Sequence, residues 1–296
     1  MKEIRDRVLS GERALFQSKG LKISDTIFEN GESSLKECHD IDLERVTFKW
    51  KYPLWYSSKI SVRNSAWLQT ARAGVWYSNK VTVDDCMCDA PKTFRRCNTL
   101  AVRNTSFSDA SETLWSCRGV ELKNVTAHGD YFAMNSENMK ISGLHLFGNY
   151  SFDGCKNVEM RDSQLIIKDA FWNSENVTVY NSFISGEYLG WNSKNLTLVN
   201  CTIESLQGLC YIENLVMKKC RLINTTLAFE YSEVDADISS GIESVLNPKS
   251  GIIRAQRIGE LIIEKDKINP AKTKIVCNDV EKRIERAEWS EEYANV

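Results

Sequence analysis

The sequence predicts an all-β fold, a single-stranded right-handed parallel β-helix of about twelve coils of about nineteen residues, with short capping segments at both ends. Three observations carry this reading. First, paired apolar residues recur from Ile41, Ile60, Val81, Leu100, Val120, Met139, Val158, Val177, Leu196, Leu215 and Val234, at spacings of 19, 21, 19, 20 and then 19 throughout. Each pair flanks one variable residue, which is the period of a strand. Second, two residues after each pair stands a residue that tolerates left-handed backbone, as at Asn64, Asp85, Asn104, Asn124, Gly143, Asp162, Asn181 and Asn200. Third, small residues lie three positions before the pair, at Ser57, Ser78, Cys97, Cys117, Ser136, Cys155, Ser174 and Ser193, and Asn138, Asn157, Asn176, Asn195 and Asn214 immediately precede it. Small inward residues and Asn turns let successive coils stack at about 4.8 Å. Leucine-rich repeats need a longer arc after the strand, and helical repeats need ten or more residues of helical period, for which no unit has room.

In chain order, residues 1–22 place Ile4, Val8, Leu9 and Leu15 among charges, which suggests an amphipathic N-terminal cap. Residues 23–245 are the regular coils. Residues 246–278 read as one irregular coil broken at Asn247-Pro248, and residues 279–296 as a charged C-terminal helix or tail, either a cap or a partner-binding segment. The whole is expected to be one domain, since a solenoid coil contacts only its neighbours.

Three strings add a family resemblance: GERALF at Gly11 to Phe16, GESSLKE at Gly31 to Glu37 and WKYPLWYS at Trp50 to Ser57. They resemble the bacterial family of unknown function DUF3737, and the coil pattern resembles the pectin lyase-like superfamily. The resemblance covers nearly the whole chain. It implies the right-handed β-helix, and because superfamily enzymes cleave acidic polysaccharides with Asp clusters, or with Asp, Lys and Arg, it implies a glycan-active site. It supplies no catalytic motif.

A net charge of −2 leaves no basic stripe, so neither nucleic acid nor an anionic membrane is an expected partner. Charges run through the first thirteen residues where a signal peptide needs an apolar core, so a cytoplasmic location is expected. The ten cysteines follow the small rows of the repeat, Cys86-Met87-Cys88 lacks zinc spacing, and His39, His128 and His145 are scattered. No metal and no cofactor are expected. The Asn-x-Ser/Thr matches are by-products of the turn row.

Candidate chemistry lies in the outward columns. Five residues before each pair runs Trp55, Trp76, Arg95, Trp115, Met134, Asp153, Trp172, Trp191, Cys210 and Phe229. The column before it is apolar or Gly, so alternation points the Trp column outward, unless a bulge turns it into the core. Exposed, it is a platform for sugar rings, with Trp115, Trp172 and Trp191 as ligand-binding residues, or an interface for another protein or a second copy. Across a turn lie Asp130-Tyr131, Tyr150, Lys168-Asp169 and Glu187-Tyr188. Asp153, Asp169, Glu187 and Asp130 are therefore the candidate catalytic carboxylates, and Tyr131, Tyr150 and Tyr188 join the ligand-binding set. Arg95 and Arg96 are placed to bind a ligand carboxylate or phosphate beside the file. The leading expectation is a carbohydrate-interacting protein, a hydrolase or lyase acting on an oligosaccharide or a sugar-containing small molecule. The alternative is a non-catalytic scaffold or a homo-oligomer. Concavity separates the two, because near-constant coils leave few loops to wall a groove.

Overall fold

The structure is a computed structural model that describes residues 2–286. The chain divides at Leu165 into two compact units, each a parallel β-solenoid.

In the first unit, in-register parallel pairing runs Leu21, Ile41, Ile60, Val81, Leu100, Val120, Met139 and Val158, from each residue to the next. The second unit repeats this through Val177, Leu196, Leu215 and Val234, and continues to Gly251 and Thr273. Apolar pair residues such as Val62, Leu122 and Leu198 are buried while the residue between them is not, as the strand period requires.

Two kinds of side-chain ladder lock the coils together. Inside, Ser57 Oγ accepts from the Cys38 N–H (3.1 Å) and donates to the Leu35 carbonyl (2.8 Å). Ser78 does the same one coil on, accepting from Ser57 N (3.0 Å) and donating to Leu54 O (2.7 Å). A small hydroxyl thus satisfies two buried backbone groups that a larger side chain would leave orphaned. Outside, in the second unit, Asn195 Nδ2 donates to Asn176 Oδ1 and Asn214 Nδ2 to Asn195 Oδ1, both at 2.8 Å. Asn200 donates to Asn181 at 3.0 Å. These asparagines hold left-handed backbone, with φ of 57° at Asn176, 54° at Asn195 and 53° at Asn200.

Strand pairing extends beyond the regular coils read from the sequence and gives about fifteen turns rather than twelve. Residues 1–22 are not an amphipathic cap. Lys2–Arg5 pairs in parallel with Lys19–Ser24, and Val8–Ser10 with Ile27–Glu29, so the charges there are the outward residues of a further coil. A stacked glycine shows how tightly this coil sits, since a Cβ on Gly31 would lie 2.0 Å from the Gly11 carbonyl oxygen. The irregular coil expected over 246–278 contains the strand Ser250–Glu264, paired in register with Thr273–Arg286. That last strand takes residues 279–286 of the expected helix or tail, while 287–296 lie outside the described residues. Among the described residues the one helical element is the short 3-10 turn Pro270–Lys272, and no helix is long and apolar enough to cross a membrane. All ten cysteines are free, and only Cys277 is more than slightly exposed.

Candidate functional site

The tryptophan column is outward but only half exposed, and its rings face each other along the ladder. In the first unit Trp55 and Trp76 stack with centroids 5.1 Å apart and planes 5° from parallel. Arg95 follows, its guanidinium 4.5 Å from the ring centres of both Trp76 and Trp115. The position that breaks the aromatic file in sequence therefore continues it as a cation between two indoles. Indole N–H groups tie adjacent coils: Trp55 Nε1 donates to the Ala73 carbonyl (2.7 Å) and Trp76 Nε1 to the Lys92 carbonyl (2.8 Å). Alongside, Tyr56 and Tyr77 stack at 4.9 Å, with Arg96 over Tyr77 at 5.8 Å. Glu112 holds Arg95 (2.8 Å) and Lys92 (2.9 Å). Burial works against the Glu112 charge, but the hydrogen bonds from Lys92 and Arg95 keep its carboxyl below the ordinary range.

In the second unit Trp172 and Trp191 lie 6.1 Å apart, tilted by 37°, and Trp191 meets Tyr211 at 4.5 Å. Trp172 Nε1 donates to the Tyr188 carbonyl at 2.8 Å. The next two members of the column, Cys210 and Phe229, are buried rather than outward.

The acidic residues proposed from the sequence fall in different units. Asp130 and Asp153 belong to the first, Asp169 and Glu187 to the second. Asp130 Oδ1 accepts from both the backbone N–H and the Nδ2 of Asn149, each at 2.9 Å. Tyr131 and Tyr150 stack beside it at 5.3 Å. Asp153 is half-buried. Asp169 is 1% exposed and not outward; it follows the end of the strand Gln164–Lys168, beyond which alternation no longer assigns a face. Glu187 pairs with Lys168 at 3.1 Å. His128 stacks on Phe147 at 4.8 Å, and no group of three or more metal-ligating side chains converges among the described residues.

A concave site lies elsewhere in the first unit, lined by none of the candidate site residues expected from the sequence. A groove of about 420 Å³ is lined by Trp50, Lys51, Gln69, Thr70, Arg72, Pro91 and Asp109, contributed by four successive coils. Its wall is the turn that contains the two extra residues of the 21-residue spacing before Val81. The cause is inside the coil. Trp67 is fully buried in the interior aromatic column, 5.0 Å from Phe48, which itself stacks on Phe28 at 5.2 Å. The indole reaches toward Gly74, where a Cβ would sit 3.1 Å from Trp67 Nε1. The chain passes around this ring in a longer turn, closed by Ala71 N–H donating to the Leu68 carbonyl (2.7 Å), and Gln69, Thr70 and Arg72 stand outward from it. Trp50 is 38% exposed and, among the described residues, has no ring stacked on it. The sequence signal for this site was the break in period.

Among solved structures, the A-module of the Azotobacter vinelandii mannuronan C-5 epimerase AlgE4 is 10% identical over 97% of this chain and 87% of its own, with a TM-score of 0.31. A mutant of the periplasmic alginate epimerase AlgG is 9% identical over 95% and 74%, with a TM-score of 0.31. The lacto-N-biosidase of Eubacterium ramulus is 9% identical over 94% and 68%, with a TM-score of 0.34. No curated protein matches the chain. Likenesses this low carry nothing about function, and the fold rests on the chain's own strand pairing. A family model, by contrast, matches residues 2–276, and the chain belongs to the family of proteins of unknown function DUF3737.

Proposed function

We propose that this protein binds an oligosaccharide in the groove of the first unit and holds it without cleaving it. The observation that supports this reading is the groove itself. It is the concavity that a ligand-binding solenoid needs, with one indole not covered by another ring and amide, hydroxyl, cationic and carboxylate groups around it. Sugars are bound by that combination of an aromatic face and hydrogen-bonding side chains. Three steps between four coils, at about 4.8 Å each, span about 14 Å, room for a short oligosaccharide rather than a polymer. Glycoside hydrolysis requires two carboxyl groups flanking the scissile bond, and Asp109 is the one carboxylate in the lining. Binding without turnover is what these residues support. The aromatic file is given a cohesive role instead, because its ring faces meet each other and Arg95. The ten free thiols suit a reducing compartment, where the ligand is a small oligosaccharide or a sugar-bearing metabolite.

The test is an oligosaccharide array followed by calorimetric titration of the hits. Trp50→Ala should weaken binding at least tenfold, as loss of a stacking residue does, while leaving unfolding unchanged. If the array shows no binder, or if binding survives in Trp50→Ala and is lost in Trp172→Ala, the groove is not the site. Turnover of a bound sugar would remove the non-cleaving part of the reading.

A further inference from the structure

We infer that the groove selects an oligosaccharide carrying a single acidic group, an oxyanion seated on Arg72, with the uncharged remainder extending toward Asp109. This rests on the glycan reading above and adds the charge of the ligand and its direction in the groove.

The inference comes from which charges near the groove are already neutralised. Around it, cations are matched to carboxylates on the neighbouring coil: Lys49 to Glu29 (3.1 Å), Lys51 to Glu32 (2.7 Å), and Lys92 and Arg95 to Glu112 (2.9 and 2.8 Å). Of the two cations in the lining, Lys51 and Arg72, Arg72 is the one without such a partner. It is exposed, and among the described residues no carboxylate lies within 4.0 Å of it. Its guanidinium stands in the wall beside Gln69 and Thr70, one coil from the exposed Trp50. A planar fork of N–H donors without a counter-charge, next to a ring that a sugar can stack on, fits an oxyanion carried by that sugar.

Asp109 limits the ligand to one such group. It lies two coils beyond Arg72, about 10 Å along the groove at the strand spacing, and its Oδ1 accepts from the Ser111 N–H at 3.0 Å. A ligand charged on every ring would set a second anion against this carboxylate, and the lining places no Lys or Arg on the coil of Asp109 to offset the repulsion. One anionic end and one neutral end match the polarity of the groove.

A planar carboxylate and a tetrahedral phosphate both meet an arginine in this way, so the experiment carries an arm for each. The full chain is titrated calorimetrically at low salt with maltotriose, sialyllactose, a maltotriose phosphate ester and trigalacturonate. The expected result is that sialyllactose or the phosphate ester binds about tenfold or more tightly than maltotriose, the value of one charge-assisted contact. The better of the two identifies the oxyanion. Arg72→Gln should bring that ratio close to one, and Asp109→Asn, which keeps the acceptor for Ser111, should improve trigalacturonate relative to maltotriose. If the neutral and singly charged sugars bind equally, or trigalacturonate binds best to the unaltered protein, the inference is overturned and the glycan reading stands. If none of the four binds, both are lost.

Discussion

Replacing Trp76 by alanine tests whether the aromatic file is a binding platform or the mortar between coils. Three interactions converge on this indole in the first unit: the stack on Trp55 at 5.1 Å, the guanidinium of Arg95 at 4.5 Å, and the hydrogen bond from Nε1 to the Lys92 carbonyl at 2.8 Å. A stacked aromatic pair, a half-buried cation–π contact and a hydrogen bond are each worth about 1 kcal/mol. Trp76→Ala should therefore destabilise the first unit by about 3 kcal/mol. Trp50→Ala should cost under about 0.5 kcal/mol, as an exposed substitution without such partners does. Solenoids need not unfold in two states, so the midpoint in guanidinium chloride should be read together with hydrogen exchange of the Phe94 and Arg95 amides, which lie in the strand paired with Val75 and Trp76. Loss of protection in Trp76→Ala and none in Trp50→Ala is expected. A Trp76→Ala protein within about 0.5 kcal/mol of the original would refute the cohesive role and return the ring faces to the list of ligand platforms.

Three further outcomes are expected. Asn200→Leu should cost about 1–2 kcal/mol in chemical denaturation, because it removes the amide bond to Asn181 and forces a branched side chain into left-handed backbone; a neutral result would contradict the ladder. Thiol counting with a water-soluble reagent should find Cys277 reactive in the native protein and ten groups after unfolding, since burial pushes Cys38 and Cys86 up to about 11 and Cys155 and Cys210 to about 12. Several fast-reacting native thiols would show that the interior is open. Burial raises the Glu230 carboxyl, the Gln207 hydrogen bond works against this, and the Glu264 charge adds to it. The folded state then holds the proton to higher pH than the unfolded one, so this group favours folding below the ordinary value of 4.5 and that contribution is lost as pH rises through the folded value. Glu230→Gln should melt higher than the original near neutral pH and level with it in mild acid; equal melting temperatures at both would mean that the carboxyl is not desolvated.

Most of the fold was legible because each coil repeats the same solution to the same constraint. Val62, Val83, Val102 and Leu122 must all be inward, and a small residue must accept the backbone N–H of the previous coil, so the pattern recurs and can be counted. The terminal coils were missed for a related reason. Among the described residues, Lys2–Arg5 and Thr273–Arg286 each pair with one neighbouring coil, and few of their positions are fully buried, so the apolar signature thins. A weak pattern among charges reads as a cap although the backbone still pairs in register. Asp169 shows the other limit. Alternation assigns a side chain inward or outward only along a strand, and Asp169 lies just past the end of one, Gln164–Lys168, where it is buried.

The candidate site was less legible than the fold because the most conspicuous column in the sequence is the one the solenoid uses on itself. Rows of identical residues at one offset are brought face to face at the coil spacing, so Trp55 meets Trp76, Tyr56 meets Tyr77 and Asn176 meets Asn195 before any of them meets a ligand. Periodicity in such a chain reports cohesion first. Distinctive chemistry has to come from the positions where the period fails, since only there does a side chain leave the ladder without a partner above or below it. The buried Trp67, the two extra residues before Val81 and the unpaired Arg72 are one such failure, and they coincide with the groove. Restoring the period supplies the direct check: deleting Gln69 and Thr70 together with Trp67→Phe, which matches the ring of Phe48 below, should give a coil that still pairs in register but has lost the groove. Retained strand content with no sugar binding is the expected result. Undiminished binding by that regular coil would place the ligand somewhere on the ladder after all.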